Sequence, residues 1–551
     1  MIEIFFYFFF YILIIFSVVG YGFIGSKITN IKLSLGEIGF IGLLTLILIS
    51  YSTNFIFSHS SVHNSIIIII GLISSFFYFF QNQKLKKKEI FNCFGIFFIL
   101  FFGLLMFKNH DDFFYYHFSY TLSLVEHKKI FGIGNLNHGF RTPSSLFYLN
   151  SLFYLPYIKL KLLNLGAILF LGFSNIFFLE KIYTKLKSKK LNLTFFLILL
   201  SFIFINTSFY RIAEHGTDKS ALILIFVLIV IYLDSISLDI KSQKRNLEFN
   251  YTLLIILILL IVSLKSFYLI YFIILLLWIY QNYKVFKFIE IKNLIFKSPI
   301  SYVGFYAIFL FIFTVFSNTG CLVYPASFSC FNQFSWSIPS EQVIQMKNWY
   351  MLWSKGGATP NYSVDDPKFY LSNFNWVKNW INIYFFTKIT DLLLVIFTIL
   401  LVTFFVFKKN ITKKINYNIY KPIYFLIIIL TVEWFINHPA LRYGGYTIIV
   451  LIYFIPLSIY LFQNYTFEKN TKKKVFYLIS ITIFIFMAKN IDRIYKEKNK
   501  YDFDIFKNPY FFVKEDAYIL NKKISRLDNL SKIKKDNFYL IINKELLNYD
   551  N

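Results

Sequence analysis

Thirteen apolar runs divide this chain, near residues 4–24, 36–57, 64–81, 90–107, 161–180, 192–208, 219–238, 252–280, 300–316, 388–407, 422–437, 447–462 and 475–488. A bilayer core of roughly 30 Å takes about 20 apolar residues per helix, and inside it every backbone amide must find its partner within the segment. Helices meet that demand, and runs of this length exclude an ordinary soluble β-sheet domain. Composition agrees, because 57% of the 551 residues are hydrophobic, 22% are aromatic and only 15% are charged, an apolar share above that of soluble domains. The expectation is an all-α polytopic membrane protein of about 12 full transmembrane helices plus one re-entrant pair of short helices. The first run is too long and too uninterrupted for a cleaved signal and is expected to stay as a helix.

The formal charge of +27 comes from lysine clusters between apolar runs, where positive charge marks cytoplasmic loops rather than a nucleic-acid surface. "QKLKKKE" (83–89), "EKIYTKLKSKK" (180–190), "KSQKR" (241–245), "KKNITKK" (408–414) and "EKNTKKK" (468–474) are accordingly placed inside. The run around 251–280 is too long for one untilted crossing and has lysines on both flanks. A re-entrant hairpin folded at "SLKS" (263–266) keeps every later cluster inside and puts Lys265 at its tip, where a charge is tolerated only beside a cavity or counter-charge. A snorkelling lysine on one tilted helix is the alternative. The resulting plan has N-terminal helices (1–107), a first large outer loop (108–160), a core with the hairpin (161–316), a Trp-rich outer loop (317–387), C-terminal helices (388–488) and an outer tail (489–551). In the tail, "KEDAYILNKKISRL" reads as a helix and "NFYLIIN" as a strand, a small α/β unit.

The chemistry gathers on the outer side of this plan. All eight histidines fall there, as do Arg141, Arg211 and Arg442 among only six arginines. Arginine against the positive-inside trend suggests an anionic ligand, for which its planar fork of donors is suited. "KNHDDFFYYHF" (108–118) brings Asp111 and Asp112, "NHGFRTPSS" (137–145) Arg141, and "NTSFYRIAEHGTDKSA" (206–221) Arg211, Glu214, His215 and Asp218. The hairpin brings Lys265, and "EWFINHPALRYGG" (433–445) brings Glu433, His438, Arg442 and Tyr443. Simpler roles compete. The two aspartates suit the start of an interfacial helix as caps. The histidines suit surface or hydrogen-bonding positions, and their spacing signals no metal site. Trp349/Trp353 and Trp376/Trp380, each four apart, fit an interfacial belt better than sugar stacking. Cys321 and Cys330 suit a disulfide in an oxidising compartment; Cys93 suits packing. "FGIGN" (131–135) lacks the strand–helix context of a nucleotide loop.

The acidic pair opening the first large outer loop, the "LLIVSLKSFYLI" double helix (259–270), the aromatic outer loop and the outer P-x-x-R-Y corner at 439–443 together resemble the polytopic GT-C glycosyltransferases that use polyprenyl-phosphate sugars. "RIAEHGTDKSA" (211–221) followed by a span is similar to bacterial members with no assigned substrate. The resemblance covers about 108–462, with three more spans ahead of the acidic pair than the best-known members have. It implies a GT-C-like fold in the cell membrane with the site facing the exterior or periplasm. It implies Asp111 or Asp112 as base toward an extracytoplasmic acceptor, with Arg211, Lys265 and Arg442 on the phosphate of a lipid-linked donor. Membrane lipid, donor and acceptor are the expected partners, and nucleic acid is not. No cofactor is required, and a divalent cation stays open. A lipid-linked saccharide flippase or transporter, or a polysaccharide polymerase or ligase, is the alternative; against a transporter, only one broken helix is found where internal repeats commonly give two.

Overall fold

A computed structural model of the chain describes residues 2–80, 83–237, 240–358, 364–408, 417–513, 534–536 and 539–541. Among them, eleven helices are long and apolar enough to cross a membrane, and Glu89–Leu104 and Leu193–Ser208 are shorter apolar helices. The chain is a multi-pass, all-α membrane protein. Helices Leu165–Lys187, Leu193–Ser208 and Thr217–Ile236 form the centre, buried along most of their length. Outer helices turn Phe305, Phe309, Phe425 and Phe484 to the surroundings, as a lipid-facing surface requires. With interior and exterior equally apolar, close packing has to hold the helices together. Gly20 of Ile2–Ile28 shows how: a Cβ there would lie 1.8 Å from the carbonyl oxygen of Gly71 in Ser61–Phe80, so only glycine permits the approach.

The long run folds back at Lys265, as the lysine pattern demands. Helix Leu247–Leu264 ends there, the 3-10 turn Ser266–Tyr271 follows, and helix Phe272–Tyr283 returns. Near the return end, the Trp278 indole nitrogen donates to Ser235 Oγ at 2.8 Å, and its ring lies 6.2 Å from that of Tyr251, close to where the hairpin began. The arms differ from expectation in length. Leu247–Leu264 spans 18 residues, as does Ser266–Tyr283 with its 3-10 turn included, and each is long and apolar enough to cross a membrane. Polar residues at the ends, Glu248 and Asn250 on one arm and Gln281 and Asn282 on the other, break the hydropathy signal before the helices stop.

Two other boundaries move for related reasons. The last helix runs from Thr471 to Tyr501, past the apolar run ending at 488, because its charged extension pairs internally as Asp492–Lys496 and Arg493–Glu497, a spacing that supports a helix. The helix after the Trp-rich loop also begins early, with a π-helical stretch, Ile381–Ile389, leading into Thr390–Phe407. A small sheet ties the tail to the first large loop. Strand β1 (Ile130–Phe131) pairs in parallel with β3 (Tyr539–Ile541), which pairs antiparallel with β2 (Lys534–Asp536). Strand β3 lies within the expected "NFYLIIN" strand. The helix expected in "KEDAYILNKKISRL" and most of the lysine cluster at 408–414 lie outside the described residues.

Candidate functional site

Four segments far apart in the sequence meet at one end of the bundle. Asp218 lies in the first turn of Thr217–Ile236, where the helix dipole favours a carboxylate, just after Gly216 turns the chain at a φ of 45°. Its Oδ1 accepts from Lys265 Nζ at 2.7 Å, and its Oδ2 from Arg442 Nε at 2.8 Å. Arg442 Nη1 in turn lies 3.6 Å from Asp112 Oδ2. The Arg442 loop is pinned by its neighbours: Tyr268 Oη donates to the Arg442 carbonyl at 2.7 Å, and the Leu441 amide donates to Tyr384 Oη at 2.8 Å. Burial pulls the Arg442 guanidinium down, but the Asp218 carboxylate outweighs it and holds the group well above its usual range.

The cluster contains two carboxylates and two cations, so it is neutral as a unit. Asp218 is its enclosed member, with a side chain 10% exposed, whereas Asp112 is 31% exposed. Asp112 immediately precedes a π-helical turn, Phe113–His117, and makes no side-chain capping bond, so the capping role weighed for it is not what the fold uses. Asp111, in the same turn, is exposed. Aromatic rings pack against the cluster's cations. Arg442 lies over Trp353 at 5.6 Å and over Tyr443 at 5.8 Å, and Lys265 Nζ lies over Tyr443 at 5.1 Å. Trp349 packs on His138 at 5.9 Å. Trp353 therefore packs on the cluster, while Trp376 and Trp380 pack on Phe435 at the helix ends.

Other expected site residues fall at different places. Arg211 is gripped by Glu214 through two contacts, at 2.8 and 2.6 Å. These two lie toward Arg493 and Glu497 of the last helix, and neither forms an ion pair with the Asp218 cluster. Arg141 Nη1 donates to Tyr324 Oη at 2.9 Å and its Nε to the Gly134 carbonyl at 3.1 Å; no ion pair with a carboxylate engages it among the described residues. Glu433 accepts from Asn437 on its own helix at 3.1 Å, outside the cluster. His438 packs between Phe267 and Tyr443, and burial, aided by Lys355, pushes its imidazole down to about 4. The side chain of His215 lies outside the described residues. Sequence reasoning missed Lys355, a nearly buried lysine with its Nζ 5.2 Å from the Trp376 ring centre. Its only signal was a lone basic residue before "GG" in an aromatic loop. Among the described residues, no three His, Cys, Asp or Glu side chains group to hold a metal ion.

Sequence reading expected surface or hydrogen-bonding histidines; His59 and His117 are both buried, and His59 is hydrogen-bonded as expected. His59 lies 2.6 Å from Ser151 Oγ, whereas His117 Nε2 is enclosed without a partner on the wall of a cavity of about 20 Å³ shared with Glu214 and Asn164. Burial pushes both imidazoles down to about 3, against the pull of Asp112 and Asp218 on His117. Because the folded protein holds them neutral, the stability they lend is complete above the unfolded value near 6.5 and is lost as pH falls toward 3. Each should cost about 2 kcal/mol by pH 5. Thermal unfolding in detergent at pH 7 and pH 5 should show that loss, and His59→Gln with His117→Gln should flatten it; equal acid sensitivity in the double variant would count against this origin.

A disulfide, Cys321–Cys330, closes a loop that carries Tyr324 against Arg141. Closing so short a loop is worth about 3 kcal/mol in the chain-entropy account. Cys321→Ser/Cys330→Ser should unfold earlier by that amount, and reducing agent should lower the melting point of the wild type but not of the variant.

A family model described as "Domain of unknown function (DUF8201)" matches residues 1–449. No curated protein and no solved structure matches the chain.

Proposed function

Since the chain belongs to the DUF8201 family, whose description carries no activity, we propose from the site alone that it is a membrane glycosyltransferase. In this reading it moves a sugar from a polyprenyl-phosphate-linked donor to an acceptor on the exterior or periplasmic side of the cell membrane. The observation that carries the reading is the cluster itself: a half-open carboxylate, Asp112, held by Arg442 beside the buried Asp218–Lys265 pair, at the aromatic mouth of a lipid-embedded bundle.

A donor anchored in the bilayer offers its phosphate at headgroup depth, so its enzyme needs cations and an acid–base group at one end of the helices. Asp112 takes the proton of the acceptor hydroxyl as its oxygen attacks the anomeric carbon. The bond from that carbon to the phosphate oxygen breaks, and the departing phosphate carries the charge toward Arg442 and Lys265. One displacement inverts the anomeric centre. Trp353 and Tyr443 offer faces for the sugar ring. Asp218 touches no substrate here; it positions Lys265 and Arg442.

Purified protein in nanodiscs should transfer sugar from at least one member of a panel of polyprenyl-phosphate sugars, assayed with and without chelator to settle the need for a divalent cation. Movement of intact lipid-linked saccharide across the membrane with no glycosidic product would replace this reading with a flippase.

A further inference from the structure

At the other end of the hairpin from Lys265, the return arm Phe272–Tyr283 leads into a short helix, Phe288–Lys297, that lies just before the crossing helix Pro299–Thr319. The two enclose a crevice of about 400 Å³ walled by Leu276, Ile279 and Tyr283 on one side and Ile291, Ile295 and Phe296 on the other. The walls are almost wholly apolar, and Leu276, Tyr283, Phe288 and Phe296 are more than half exposed. Such a surface is stable only where lipid chains cover it.

The charges around it are one-sided. Lys284, Lys287, Lys292 and Lys297 are all exposed, and among the described residues none of them forms an ion pair. Lys292 is itself on the crevice wall, and Lys284 Nζ sits 4.3 Å above the Tyr280 ring. The one carboxylate on the short helix, Glu290, is taken by Lys244 at 2.7 Å. An apolar slot for a chain bordered by exposed ammonium groups, Lys292 on its wall with Lys284 and Lys287 before the short helix and Lys297 at its end, complements a lipid with a negative headgroup. We infer that the crevice between Phe272–Tyr283 and Phe288–Lys297 is a binding site for an anionic glycerophospholipid, with one acyl chain in the slot, the phosphate at Lys292 and the flanking lysines adding to the positive field. This site is separate from the Asp218 cluster and does not rest on the proposed activity.

Native mass spectrometry of the full chain, titrated with dioleoyl phosphatidylglycerol and dioleoyl phosphatidylcholine, tests the inference. Phosphatidylglycerol should bind at least about tenfold more tightly, since each lysine near a lipid surface contributes about fivefold. Lys284→Gln/Lys287→Gln/Lys292→Gln/Lys297→Gln should bring the two lipids level. Leu276→Trp, which fills the mouth from an exposed position, should weaken both, and glycerol 3-phosphate should compete poorly. Size-exclusion profiles and unfolding temperatures matching the wild type keep the variants interpretable. Equal affinity for the two lipids, a preference that survives the quadruple variant, or competition by glycerol 3-phosphate as strong as by the whole lipid would each overturn the site.

Discussion

Asp218→Asn is expected to lower the unfolding free energy by about 3–5 kcal/mol, the cost of leaving buried cations without their counter-charge. The carboxylate receives Lys265 on one oxygen and Arg442 on the other, so a neutral amide abandons two ammonium-type charges at once. Asp112 offsets only part of this, because it lies 3.6 Å from Arg442 and forms no ion pair with Lys265. The test is a double-mutant cycle. Lys265→Met removes one stranded charge while keeping the packing, so Asp218→Asn/Lys265→Met should be more stable than Asp218→Asn, with a coupling energy of about 1–3 kcal/mol. Thermal unfolding in detergent, followed by circular dichroism, gives all four corners. If Asp218→Asn melts with the wild type, the four segments do not assemble as described.

The second large effect concerns rate rather than stability. Under the proposed function, Asp112→Asn should cut sugar transfer by about 10²–10⁴-fold, the range that a positioned general base supplies. Its melting temperature should stay near that of the wild type, since the carboxylate is partly exposed and its contact with Arg442 is loose. Asp111→Asn, at an exposed neighbouring position, should cost far less. Equal losses in the two variants would dissolve the distinction between the aspartates, and undiminished transfer in Asp112→Asn would remove the base. The split between rate and stability also separates the two carboxylates: Asp218→Asn should damage both, Asp112→Asn only the rate.

Part of the candidate site was legible before any coordinates. Asp112, Asp218, Lys265, Arg442 and Tyr443 stood out because charge near an apolar run is costly and therefore rarely incidental, and these five do come together. Arg211 and Glu214 stood out for the same reason yet satisfy each other three residues apart, a local solution that the sequence pattern permits equally. Lys355 went unseen, and His117 was read as a surface or hydrogen-bonding histidine, because burial, not residue type, makes them notable. The cations also changed character: Lys265 and Arg442, expected on the lipid phosphate, are already paired with Asp218.

The sequence by itself determined the class of the molecule. Apolar runs of crossing length force helices on the backbone, and lysines flanking the run at 251–280 favoured a fold back at Lys265 over one tilted helix. Both follow from free energies that act residue by residue, through transfer into lipid and exclusion of charge. Only the tertiary structure decided the arm lengths, the continuation of the last helix to Tyr501 and the partner of each ion. Those depend on which polar side chains meet across the bundle, and contacts between Asp218 and Arg442, 224 residues apart, leave no periodic trace along the chain.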